Sequence, residues 1–70
     1  MDKIRKEDFV TIDPNIMHGT PVFKGTRVPI ETLFDYLATG DSINEFLDDF
    51  PTVKREYAEM AIEYARQLAA

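Results

Sequence analysis

The sequence contains no cysteine, no tryptophan, a single histidine and no long uninterrupted apolar run. Without cysteine there is no disulfide framework and no thiolate metal site, which fits a reducing compartment. A lone histidine, His18, has neither a second histidine nor a cysteine to join it in a metal site, which takes three or four ligands. A bilayer span needs about 20 consecutive apolar residues, and nothing here approaches that. Residues 1–8 are mostly charged and lack the apolar segment of a signal peptide. The expectation is a cytoplasmic chain with no membrane segment, no metal and no cofactor.

Catalysis is equally poorly supplied. Ser42, the serine that a Ser-His-Asp arrangement would use, is already explained as a helix cap. Asp48 and Asp49 are sequence neighbours, and neighbours do not face each other on a helix. His18 beside a turn reads as a solvated or structural residue. An enzyme is not expected.

What is present is one small domain. The chain has 70 residues, 44% of them hydrophobic, with five phenylalanines and three tyrosines, too apolar for a disordered segment. A chain of this size buries only about 60% of the surface its unfolded form exposes, so it gains from a partner or a second copy. The net charge is −5 and unevenly spread. Residues 1–27 carry Lys3, Arg5, Lys6, Lys24 and Arg27 against four acids, whereas residues 28–70 carry Lys54, Arg55 and Arg66 against nine. An acidic whole speaks mildly against nucleic acid as the main partner. The basic charge gathers in the N-terminal third.

Local patterns give an α+β, mainly helical fold. Phe9, Val10, Thr11 and Ile12 form a β-prone run closed by the turn residues Asp13, Pro14 and Asn15. Val22-Phe23 and Arg27-Val28 flank Gly25 and read as a tight hairpin, which Pro21 and Pro29 keep short. From Pro29 the period turns helical: Ile30, Leu33, Phe34 and Leu37 make one stripe, with Gly40 as the stop. Ser42 and Glu45 form a capping box for a second helix carrying Ile43, Phe46, Leu47 and Phe50, ended by Pro51. Thr52 is the expected cap of a third helix, Val53 to about Leu68. That helix has an apolar stripe (Val53, Tyr57, Met60, Ala61, Tyr64, Leu68) and a smaller second one (Ala58, Ile62, Ala65, Ala69). The reading is a charged arm at 1–8, then a single domain at 9–70: strand, hairpin and a three-helix, helix-turn-helix-like bundle.

The string Gly19-Thr20-Pro21-Val22-Phe23-Lys24-Gly25-Thr26-Arg27-Val28-Pro29 carries a resemblance, together with Asp13-Pro14, Gly40-Asp41-Ser42 and Phe50-Pro51. Over residues 12–65 the chain resembles the domain of unknown function 433 family. The resemblance implies a helix-turn-helix-like domain and an antitoxin of a type II toxin–antitoxin pair, whose nuclease toxin would be a PIN-like ribonuclease. Many antitoxins wrap the toxin with a flexible tail. Here the helical pattern still runs through residues 64–68, so the expected contact is folded surface or the N-terminal arm.

The candidate sites follow. Lys24 and Arg27 on the hairpin are the candidate partner-binding pair, since a guanidinium suits a carboxylate cluster. The competing reading pairs Arg27 with Asp13 or Glu31 as a brace. Lys54 and Arg55 at the head of the third helix, with Lys3, Arg5 and Lys6 in the arm, are the candidate contacts to promoter DNA. Glu56, Glu59 and Glu63 on that helix would repel phosphate, so a protein-interaction module without a DNA role is the alternative. Ala58, Ile62, Ala65 and Ala69 are the candidate dimer interface of a homo-oligomer.

Overall fold

The computed structural model describes residues 3–69; Met1, Asp2 and Ala70, at the ends of the expected arm and domain, lie outside them. A 3₁₀ turn at Lys6–Asp8 leads into β1 (Val10–Thr11). β2 (Val22–Phe23) follows, then α1 (Ile30–Ala38), α2 (Ile43–Asp49) and α3 (Arg55–Ala69). The fold is α+β, as the patterns indicate.

The ladder partner of β2 is β1, antiparallel, with Val10 opposite Phe23 and Thr11 opposite Val22. The expected hairpin is present only as a fringe on the other edge of β2. There the Phe23 N–H donates to the Val28 carbonyl at 2.9 Å and a single bridge joins Val22 to Pro29. Pro29 has no N–H to give, so that edge cannot grow into a ladder.

The helix ends follow local chemistry. At the end of α1 the Asp41 N–H reaches the Tyr36 carbonyl (3.0 Å) and the Gly40 N–H reaches that of Leu37 (3.2 Å), with Gly40 at φ 89°. This is a Schellman stop, which needs the left-handed residue that glycine supplies without a Cβ penalty. Before α2, the Glu45 N–H donates to Ser42 Oγ (3.1 Å) and the Ser42 N–H to Glu45 Oε1 (2.9 Å), the full capping box. The start of α3 differs from expectation. The helix begins at Arg55, with the Lys54 carbonyl accepting from Tyr57 and Ala58, so Thr52 is not its cap. Val53 is spent instead as a buried plug in the turn after Pro51, its N–H bonded to the Phe50 carbonyl.

The core gathers Phe9, Val22, Phe23, Leu33, Phe46, Val53, Ala58 and Ala61, and no polar side chain is buried among the described residues. Phe46 is its hub: its ring lies 5.8 Å from Phe23, 5.5 Å from Tyr36 and 5.2 Å from Phe50. The segment expected as a free arm joins the fold. The Gln67 amide clamps Ile4 at both backbone groups, accepting from its N–H (3.0 Å) and donating to its carbonyl (3.1 Å).

Candidate functional site

The turn between β2 and α1 is the best-braced exposed cationic feature. Gly25 at φ 77° turns the chain, and the Thr26 N–H closes the turn on the Phe23 carbonyl at 3.0 Å. A positive φ at the third position is the demand of a type II turn, which glycine meets. Thr26 adds two bonds that sequence reading missed: its hydroxyl donates to the Phe23 carbonyl (2.8 Å) and accepts from the Val28 N–H (3.0 Å). Arg27 thus sits between two anchored residues. Lys24 and Arg27 are both exposed, and among the described residues neither forms a salt bridge. The brace to Asp13 or Glu31 is not formed. Beside Arg27 lies a shallow groove of about 490 Å³ lined by Thr11, Ile16, Thr26, Val28 and Thr52. The basic turn and the α2–α3 turn therefore share one face.

The head of α3 is arranged differently. Arg55 donates to Asn44 Oδ1 on α2 and lies 4.0 Å from Glu59. Lys54 Nζ stands 5.6 Å from the Tyr57 ring centroid. Both side chains are exposed but already engaged within the chain. Glu56, Glu59 and Glu63 follow at intervals of three and four and make an exposed acidic stripe. Lys3, Arg5 and Lys6 are exposed too, on a segment tied down at Ile4.

Residues 10–65 match the family described as Protein of unknown function (DUF433). The chain belongs to the DUF433 family. The uncharacterized protein y4eO of Sinorhizobium fredii is 36% identical over 64 residues, a stretch covering 91% of this chain and 29% of that protein. A crystal structure of a DUF433 member from Anabaena variabilis aligns with a TM-score of 0.70 at 29% identity, covering 83% of this chain and 57% of that one. This DUF433 chain therefore spans under a third of one relative and little over half of the other.

One expectation for the DUF433 chain needs correction. Ala58, expected in the dimer stripe, is fully buried in the chain's own core and cannot meet a second copy. Ile62 and Ala65 are partly covered and Ala69 is exposed. Alternation of stripes cannot say which small residue is enclosed, because a helix with neighbours on two sides buries more than one stripe.

His18 is exposed, and no group of three or more His, Cys, Asp or Glu residues able to hold a metal occurs among the described residues. Its backbone is the notable feature. Met17, His18 and Gly19 have φ of 50°, 58° and 87°, a left-handed turn closed by bonds from Gly19 to Ile16 and from Thr20 to Met17. A residue with a Cβ is strained there by about 1–2 kcal/mol. His18→Gly is expected to raise stability by about 1 kcal/mol despite the entropy glycine adds to the unfolded chain. Chemical denaturation measures it; an unchanged or lower midpoint would show that the strain does not exceed the entropy glycine adds to the unfolded chain.

Elsewhere, the Tyr36 hydroxyl donates to Asp49 Oδ2 at 2.6 Å. That bond, then partial burial and the charges of Asp49 and Asp41, hold the phenol above its ordinary pKa. The pair ties α1 to α2 and is structural.

Proposed function

We propose that this chain is a protein-binding module that neutralises a nuclease partner, in the manner of a type II antitoxin, with the basic turn as its contact. The observation that carries the reading is Arg27: exposed, on a turn fixed by four hydrogen bonds at Phe23, Thr26 and Val28, with no internal ion pair among the described residues. The backbone beneath Arg27 is already ordered, so binding has only the side chain left to immobilise. Metal-dependent nucleases hold their cations with clustered carboxylates, and the guanidinium fork matches a carboxylate in two parallel bonds. Arg27 in that cluster competes with the metal, and Lys24 adds charge beside it. The acidic stripe of α3 favours the basic surface on which such a nuclease holds RNA, which speeds encounter more than it adds affinity. The role belongs to the cytoplasm and is one of binding, with no catalysis.

DNA contact at the chain's own promoter is the lesser part of the proposal. Arg55 is engaged with Asn44 and Glu59, and the stripe beyond it is acidic. The experiment is to assay the product of the adjacent reading frame for RNA cleavage and titrate the protein into that reaction, with a gel shift on the promoter fragment in parallel. Stoichiometric loss of cleavage supports the proposal. Unaffected cleavage with a salt-sensitive gel shift, weakened by alanine at Lys54 and Arg55, would replace it by a DNA-binding role.

A further inference from the structure

The groove beside Arg27 draws its lining from four parts of the chain: Thr11 of β1, Ile16 of the loop after it, Thr26, Arg27 and Val28 of the basic turn, and Thr52 between α2 and α3. The chain carries 13 acidic residues, yet among the described residues none lines this groove, and Arg27 is its one charged group. Ile16 and Val28 are half-buried there, whereas Arg27 and Thr52 are exposed. One cation on a fixed backbone thus stands at a hollow whose other side chains are aliphatic or hydroxyl-bearing.

We infer that the groove takes an extended segment of the protein partner in which a carboxylate residue lies next to an aliphatic one. The carboxylate meets Arg27, and the aliphatic side chain covers Ile16 and Val28. The inference rests on the reading of Arg27 as the partner contact, and it adds Thr52, on the α2–α3 turn, to that contact. Charge selects the occupant. A wholly apolar segment would cover Arg27 and leave it without a counter-charge, which is costly once water is excluded. A carboxylate supplies that charge and fits the guanidinium fork. A nucleic acid is charged at every step and gains affinity by spreading over several cations, whereas this groove offers one. Charge on the segment is therefore confined to the Arg27 end, and the remainder is uncharged, to match Ile16 and Val28.

The test measures inhibition of RNA cleavage by the product of the adjacent reading frame, for the wild type and for Thr52→Glu, Thr52→Lys, Val28→Thr and Arg27→Ala, with a thermal melt of each. Thr52 is exposed and does not cap α3, so both its variants are expected to fold. Thr52→Glu is expected to raise the inhibitory concentration several-fold and Thr52→Lys to lower it, because the two charges act oppositely on a nearby carboxylate. A purely structural Thr52 would move both in the same direction. Val28→Thr nearly keeps the side-chain volume but puts a hydroxyl on the aliphatic lining. It is expected to weaken inhibition several-fold at saturating folded protein. Thr52 variants that match the wild type or shift together, or a Val28→Thr as potent as the wild type, would overturn the inference; loss of inhibition in Arg27→Ala would then leave the reading of Arg27 standing. A wild type that does not inhibit removes both. Opposite shifts confined to a gel shift on the promoter fragment would overturn the inference in favour of nucleic acid, and a change confined to sedimentation of the chain alone in favour of a second copy.

Discussion

Phe46→Ala is expected to remove a large part of the domain's stability. Its side chain is completely buried, and its ring is surrounded by those of Phe23, Tyr36 and Phe50. Truncating such a phenylalanine costs about 3–5 kcal/mol, because the transfer energy is lost and the cavity cannot fully collapse. The whole domain has only about 4–10 kcal/mol to lose at the usual stability per residue. Phe46 also ties three elements, so the hole cannot be filled by moving one of them. Leu37→Ala, on the stripe of α1 but only partly buried, is expected to cost less, about 1–2 kcal/mol. Urea unfolding ranks the two. Equal midpoint shifts would mean that burial does not set the order.

How far such an account could be read from the sequence depends on the range of the interaction. The stop at Gly40 and the box at Ser42 and Glu45 rest on bonds spanning three to five residues, and both stand in the fold as the sequence implies. The pairing of β2 with β1 does not, because strand choice is decided by what packs over Phe23, not by the turn at Gly25. Gln67 is invisible for the same reason: a glutamine near the end of a helix carries no sign that Ile4, 63 positions away, will need both its backbone groups satisfied. The spacing of Val53 fits a helix, yet it fills the turn after Pro51 as a buried apolar plug. At the site, the exposed Arg27 was legible as a candidate from the Gly-Thr-Arg string. Its freedom from Asp13 and Glu31 was not, since a brace and a free cation have the same local sequence. The stiffness supplied by Thr26 was also hidden, because a threonine hydroxyl can serve several local bonds.

Arg27→Ala is expected to raise the concentration needed to inhibit the partner nuclease by about 30-fold or more. Removing one member of a desolvated, hydrogen-bonded charge pair costs about 2–5 kcal/mol in binding. Stability should stay within about 0.5 kcal/mol of wild type, because Arg27 is exposed and unpaired among the described residues. Arg27→Lys keeps the charge but loses the fork and falls between the two. Inhibition assays beside thermal melts separate the roles. A lowered melting point with inhibition intact at saturating protein would return Arg27 to the brace that the sequence also allowed.

The claim that Arg27 enters the carboxylate cluster in place of the metal is tested most directly by a competition measurement. The affinity of the chain for the nuclease is determined by calorimetry at increasing Mg²⁺, with ionic strength held constant so that screening does not change. The account predicts an apparent Kd that rises in proportion to Mg²⁺ once the metal site begins to fill, and a rise that disappears for Arg27→Ala. An affinity independent of Mg²⁺ in the wild type would contradict it.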